Sequence, residues 1–214
     1  MSQHQVEIPA PPVHLAADLV VPADAGGLVV FAHGSGSSRL SARNRQVAAA
    51  LNERGLATLL LDLLTVEEEM NRANVFDIAL LSERLVAAIR WAGQRPDTER
   101  LPIGLFGAST GAAAALCAAA TLGGGISAVV SRGGRPDMAG ECLPRVTAPT
   151  LLIVGGADRT VLALNEEAAT ELQCPHRVEV IPGATHLFEE PGALERVAEL
   201  AGAWFAELLS EPAA

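Results

Sequence analysis

The stretch LPIGLFGASTG, residues 101–111, is the most informative part of the sequence. The apolar run Leu101–Phe106 predicts a buried strand, and the Ala-rich run Ser109–Thr121 predicts a helix. Between them, residues 107–111 match the pattern G-x-S-x-G. On a sharp strand-to-helix turn, this pattern presents a serine hydroxyl beside the free amides at the start of the helix. Ser109 is therefore a candidate nucleophile; the alternative is an ordinary Gly-rich turn in which Ser109 only caps the helix.

Short apolar runs alternate with longer amphipathic segments through most of the chain. The predicted strands are Val13–Val21, Leu28–Phe31, Ala57–Leu61, Leu101–Phe106, Ile126–Ser131, Thr150–Val154 and Arg177–Ile181. The predicted helices are Leu40–Arg54, Val75–Gln94, Ser109–Thr121, Val161–Leu172 and Leu194–Leu209. Apolar strands separated by helices indicate an α/β fold, a mostly parallel sheet with helices on both faces. We expect a single domain over residues 1–214, with residues 1–27 as N-terminal strands that lead into it.

The composition excludes several kinds of chemistry and partner. All 15 positive charges are Arg, and Tyr is absent, so a Schiff-base lysine, a phosphate-loop lysine and a tyrosine nucleophile are excluded. The net charge of −10 repels polyanions, so nucleic acid is not an expected partner. Met1–Leu15 lacks the apolar core of a signal peptide, and no apolar run reaches the ~20 residues of a membrane span. No membrane association is expected.

The three cysteines, Cys117, Cys142 and Cys174, are an odd number at wide spacing. They form no CxxC pair, so neither a disulfide framework nor a metal site is expected. A reducing compartment, and hence a cytoplasmic location, follows from the same observation. No metal and no other cofactor is predicted.

A serine hydroxyl needs a base to take its proton, and parallel sheets bind ligands at the carboxyl ends of their strands. His186 follows the strand Arg177–Ile181 in a loop at such an end, with freedom to reach Ser109. His33 also ends a strand, but we expect it to brace its own loop. The other histidines lie before the sheet core or at the entry of a strand: His4, His14 and His176. His186 is the predicted base; the alternative is a surface-loop histidine.

The base in turn needs a carboxylate that fixes its tautomer. Asp158 follows the strand Thr150–Val154 at the same edge of the sheet. Its rivals are Asp62, Asp137, Glu189 and Glu190. The order Ser…Asp…His along the chain is the order expected for a hydrolase on this kind of sheet, which favours Asp158.

The segment HGSG, residues 33–36, follows the first core strand and supplies a candidate oxyanion hole. Acyl transfer places negative charge on the former carbonyl oxygen, which must meet preorganised amide donors. The predicted donors are the amides of Ser35 and of Thr110, the residue after the nucleophile. The alternative is a flexible turn at Ser35.

Taken together, the segments at residues 33–36, 107–111, 155–158 and 183–186 resemble the α/β-hydrolase superfamily. Within it, the chain is similar to small esterases related to dienelactone hydrolase, from Leu28 to Leu209. The resemblance implies an α/β-hydrolase fold, a triad of Ser109, Asp158 and His186, and an oxyanion hole at Ser35 and Thr110. Dienelactone hydrolase itself has a Cys nucleophile where this chain has Ser109. A general carboxylic ester is therefore the expected substrate.

The segment between Ser131 and Thr150 is too short for a helical cap domain. We expect an open site, or one covered by loops such as Thr65–Asn74. Arg132 and Arg135 follow a strand at the carboxyl edge, where a guanidinium could hold a substrate carboxylate. Alternatively, both are solvated loop residues, or they pair with acidic neighbours in the sequence, Asp137 and Glu141.

The leading hypothesis is a serine hydrolase that cleaves small carboxylic esters through an acyl-enzyme on Ser109. An acyltransferase or perhydrolase with the same triad is one alternative. A non-catalytic binding module on a hydrolase scaffold is another, and a nucleotide transferase ranks last because no phosphate loop with a Lys is present. The expected partner is a small ester, and the expected state is a monomer or a homodimer.

Overall fold

A computed structural model describes residues 2–209, and in it eight strands form one sheet. The strands are β1 (Ser2–Ala10), β2 (Val13–Val21), β3 (Leu28–Ala32), β4 (Ala57–Leu61), β5 (Ile103–Ala108), β6 (Ala128–Arg132), β7 (Thr150–Gly155) and β8 (His176–Ile181). Their order is β1-β2-β4-β3-β5-β6-β7-β8. Only the pairs β1–β2 and β2–β4 are antiparallel in this sheet, so the predicted mostly parallel α/β fold is confirmed. The two ends of the predicted domain, residue 1 and residues 210–214, lie outside the described range.

Helices cover both faces of the sheet. They are α1 (Ala42–Glu53), α2 (Val66–Glu69), α3 (Arg72–Val75), α4 (Ile78–Ala92), α5 (Thr110–Leu122), α6 (Arg159–Glu171) and α7 (Ala193–Leu208). The apolar faces of α1 and α7 share one core, and those of α4, α5 and α6 share the other. Helix α4 begins later than predicted because the Asp77 side chain caps it, accepting the amide of Leu80 at 3.0 Å.

The register of the central strands aligns their carboxyl ends. Ala32 of β3 pairs with Gly107 of β5, which pairs in turn with Ser131 of β6. The next pair in the ladder is Ala108 and Arg132. The loops after β3, β5 and β6 therefore leave the sheet at one level and share one edge.

The connection from β6 to β7 contains one 3₁₀ segment, Pro136–Arg145, which is too short for a cap domain, as predicted. A disulfide joins Cys142 of this segment to Cys117 of α5, with a Cα–Cα distance of 5.1 Å. The prediction of no disulfide is therefore wrong. The two cysteines are 25 residues apart in the sequence, and only the packing of the 3₁₀ segment against α5 brings them together.

Candidate active site

Ser109 lies on the sharp turn between β5 and α5. Its backbone has a φ of 51° and a ψ of −122°, a conformation that residues other than Gly rarely adopt. A Cβ at Gly107 would lie 2.4 Å from the Cα of Ala112, and one at Gly111 would lie 2.2 Å from the carbonyl oxygen of Ala32. The two glycines of the motif are therefore required by close backbone packing, which holds the strained turn in place.

His186 and Asp158, the predicted base and acid, are hydrogen-bonded to each other. His186 Nδ1 lies 2.8 Å from Asp158 Oδ2. Because a carboxylate can only accept, Nδ1 carries the hydrogen, and the Nε2 of the neutral imidazole is left as an acceptor. The other carboxylate oxygen caps α6, accepting the amide of Val161 at 3.4 Å. His186 and Ser109 line the same cavity.

Two of the rival acids are engaged elsewhere. Asp62 accepts a hydrogen bond from the guanidinium of Arg39. Asp137 accepts hydrogen bonds from two nitrogens of Arg135, at 2.8 and 2.7 Å. Both carboxylates are thus paired with arginines instead of a histidine, which leaves Asp158 as the partner of the imidazole.

Glu190 braces the loop that carries His186, a role that the sequence analysis missed. Its carboxylate accepts the amide of Thr185 at 3.0 Å and the hydroxyl of Thr185 at 2.6 Å. These hydrogen bonds lower the pKa of Glu190. Phe188 has a φ of 55°, and its buried side chain anchors the same loop. No spacing rule in the sequence marks Glu190, because the loop conformation alone brings it back to Thr185.

The residues of the two predicted oxyanion donors are in contact at the start of α5. The amide of Ser35 donates to the hydroxyl oxygen of Thr110 at 2.8 Å, so this amide already points toward the helix N-terminus. His33 braces the loop as expected. Its Nδ1 donates to the carbonyl of Gly34 at 2.9 Å, and its Nε2 accepts the amide of Leu63 at 3.1 Å.

The cavity at Ser109 has a volume of about 210 Å³ and is bounded by the Ser35 loop, the start of α1, Arg132 and His186. A second cleft of about 330 Å³ adjoins the Ser35 loop. Glu69 of α2 and Arg72 of α3 line that second cleft together with Ser35. The predicted covering segment, Thr65–Asn74, thus flanks the site as the short helices α2 and α3.

The structure brings Arg132 into the cavity but not Arg135. Arg132 is only 8% exposed, and among residues 2–209 its side chain makes one hydrogen bond, from Nη2 to Asn44 Oδ1 at 3.4 Å. Burial, and secondarily the charge of Arg43, lowers the pKa of Arg132 to about 10. Arg43 lines the same cavity. Arg135 donates both Nε and Nη2 to Asp137, and this pairing raises its pKa.

Among residues 2–209, no group of three or more His, Cys, Asp or Glu side chains is arranged to hold a metal ion. In the same range, no helix combines the length and apolar character of a membrane span.

Comparison with known proteins places the chain in a family. Residues 15–209 match the model of the dienelactone hydrolase family. A crystal structure of a dienelactone hydrolase from Anabaena variabilis ATCC 29413 superposes with a TM-score of 0.95 at 55% identity, covering 97% of this chain and 98% of that one. Est1E from Butyrivibrio proteoclasticus shares the fold, with a TM-score of 0.81 at 18% identity over 95% of this chain and 98% of its own.

Longer relatives are known as well. Two proteins from Mycobacterium tuberculosis, strains CDC 1551 / Oshkosh and ATCC 25618 / H37Rv, are 58% identical over 212 residues, which is 99% of this chain. Both are provisionally named phosphoribosyl transferases, and the match covers 48% of their length. The chain thus spans about half the length of these curated relatives. Because residues 15–209 match the model of that family, the chain belongs to the dienelactone hydrolase family.

Proposed function

We propose that the protein is a serine hydrolase that cleaves small carboxylic esters through an acyl-enzyme on Ser109. The observation that carries the proposal is the 2.8 Å hydrogen bond between His186 Nδ1 and Asp158 Oδ2, in the cavity that the elbow serine lines. A carboxylate bonded to Nδ1 is what a general base at Nε2 requires. Membership in the dienelactone hydrolase family supports ester cleavage as the class of reaction.

In the proposed mechanism, Ser109 Oγ attacks the ester carbonyl while His186 Nε2 takes its proton. Asp158 holds the imidazole in the productive tautomer and stabilises the imidazolium that forms. The alcohol leaves with that proton, and the acyl group stays on Ser109. His186 then takes a proton from water as the water attacks the acyl-enzyme, and it returns that proton to Ser109 Oγ as the acid is released.

Two backbone amides are proposed to stabilise the tetrahedral oxyanion. The amide of Thr110 is the first of α5, and helix geometry leaves it without an intrahelical partner. The amide of Ser35 must exchange its bond to the Thr110 hydroxyl for one to the substrate oxygen. Losing one such donor typically costs about 3–4 kcal/mol of transition-state stabilisation.

Arg132 is the arginine that we propose to contact the substrate, because it lines the cavity. Arg135 would join it only by leaving Asp137. The phosphoribosyl transferase name belongs to relatives twice the length of this chain. We assign that chemistry to the half of those proteins that this chain does not match, because the groups in the cavity described above suit acyl transfer.

A cytoplasmic location and a monomeric or homodimeric state stay predictions. The Cys117–Cys142 disulfide counts against a reducing compartment, since thiols there are normally kept reduced.

The test is hydrolysis of p-nitrophenyl esters from acetate to octanoate by the wild type and by Ser109→Ala. We expect activity on short chains and a loss of at least about 10³-fold in kcat/KM for the variant. The matched control is Ser127→Ala, at the opposite end of β6, which should keep full activity.

Activity that survives in Ser109→Ala would remove Ser109 as the nucleophile. If the wild type is inactive on these esters, a fluorophosphonate probe separates the remaining cases. Labelling of Ser109 means a specialised ester, an acyltransferase or a perhydrolase, whereas no labelling means a binding module.

A further inference from the structure

The end of the cavity where β6 finishes and α1 begins contains a guanidinium with unsatisfied hydrogen-bonding groups. Arg132 is buried to 8% exposure at the end of β6, and its Nε and Nη1 have no hydrogen-bond partner among the described residues. Its one bond, to Asn44 Oδ1, is long at 3.4 Å. No carboxylate lies within ion-pair distance of Arg132 in that part of the chain.

A second guanidinium lies at the same end. Arg43, in the first turn of α1, lines the cavity, and its proximity adds to the burial that lowers the pKa of Arg132. The partner of Arg43 is Glu189, at 3.1 Å. Glu189 is 63% exposed, so this ion pair is weak and exchangeable. Its carboxylate can turn to water when an anion binds.

The backbone at this end also favours an anion. Helix α1 begins here, with Ser41 as its N-cap, so the positive end of the helix dipole faces the cavity region. Ser37 and Ser41 line the same cavity as the two arginines. Burying one charged group without a counter-charge is costly, and here two like charges are brought together as well. An anion in the cavity offsets both costs.

We infer that this end of the cavity is a subsite for a phosphate monoester dianion carried by the ester substrate. Two positive charges match a dianion. The three terminal oxygens of a phosphate can accept from guanidinium groups on two different elements, the end of β6 and the start of α1. A planar carboxylate has two oxygens and one charge, which a single guanidinium fork already satisfies. The inference rests on the proposed function, because it names the class of ester that Ser109 cleaves.

The test measures binding of phenyl phosphate and of benzoate to Ser109→Ala by isothermal titration calorimetry at pH 8 in Tris buffer. At this pH the phosphate is a dianion. We expect phenyl phosphate to bind with a Kd about tenfold or more below that of benzoate. In the same background, Arg132→Gln and Arg43→Gln should each weaken phenyl phosphate binding by about tenfold.

The matched control is Arg45→Gln. Arg45 lies two residues along α1 from Arg43, but it is half exposed and pairs with Asp18 at 3.1 Å, outside the cavity. Its substitution should change the Kd by less than about twofold. Circular dichroism verifies the fold of each variant. If Arg132→Gln does not fold, Arg43→Gln still tests the subsite, because Arg43 is partly exposed.

Benzoate binding as tightly as phenyl phosphate would overturn the inference in favour of a carboxylate subsite. Absence of phenyl phosphate binding, or binding that neither arginine variant weakens, would overturn it as well. Because Ser109→Ala binds without turnover, the outcome does not depend on ester hydrolysis. Phosphate binding in a protein that cleaves no ester would therefore refute the proposed function and leave the subsite intact.

Discussion

The two ends of the Ser109 cavity differ in how their polar groups are satisfied. At the catalytic end, His186 is bonded to Asp158, and Thr185 of the same loop is bonded twice to Glu190. At the other end, the buried side chain of Arg132 has one long hydrogen bond and two nitrogens without a partner in the part of the chain that the structure describes. Groups that must hold one geometry are satisfied within the protein itself. A buried polar group without a partner needs an explanation, and for Arg132 the explanation that we propose is a ligand.

The largest expected effect comes from Asp158→Asn, which alters the hydrogen bond to His186 at the catalytic end. An amide at this position favours the wrong imidazole tautomer, so kcat should fall by about 10⁴-fold. Asn is nearly as good an N-cap as Asp, so α6 should stay intact. Steady-state kinetics on a short p-nitrophenyl ester measures the loss.

The control for this variant is Asp137→Asn. Asp137 pairs with Arg135 and is not part of the cavity lining, so kcat should change little. A fall of less than about tenfold in Asp158→Asn would mean that Asp158 does not orient the base.

The next effect is on stability, at the turn that supports the catalytic end. Gly111→Ala places a methyl group 2.2 Å from the carbonyl oxygen of Ala32, and a backbone atom cannot move aside cheaply. The free energy of unfolding, measured by urea titration, should fall by about 3 kcal/mol. Gly124→Ala is the control, since its Cβ meets nothing within 4 Å and the change should stay within about 0.5 kcal/mol. Equal stability of the two variants would disprove the packing requirement.

The smallest expected effect is a gain in stability, and it tests the end of the cavity that contains Arg132. Arg132→Met removes a buried charge that lacks a counter-charge, so the free energy of unfolding should rise by about 1 kcal/mol. Arg84→Met is the matched comparison, because Arg84 is as deeply buried but bonds Glu68 at 2.7 Å and the carbonyl of Ala10. Its loss should cost about 3 kcal/mol in the same urea titration. Equal destabilisation by both variants would show that Arg132 is a structural residue.

Much of the fold was predictable because its signals are local. Apolar runs marked seven of the eight strands individually, and residues 1–27 were expected to supply strands before the core. The glycines around Ser109 marked the turn, since close backbone packing there leaves no room for a side chain. Helix ends were less predictable: α4 begins at Ile78 instead of Val75, because Asp77 provides the cap.

The sequence by itself determined the α/β pattern, the elbow at Ser109, and the order of Ser109, Asp158 and His186. These depend on residue type and position along the chain. Only the tertiary structure revealed the Cys117–Cys142 disulfide, the brace from Glu190 to Thr185, and the approach of Arg43 to Arg132. Each of these joins groups whose distance depends on how loops and helices pack, and spacing along a chain does not encode that distance. The charge left without a counter-charge at Arg132 is likewise a property of its surroundings, which the fold alone defines.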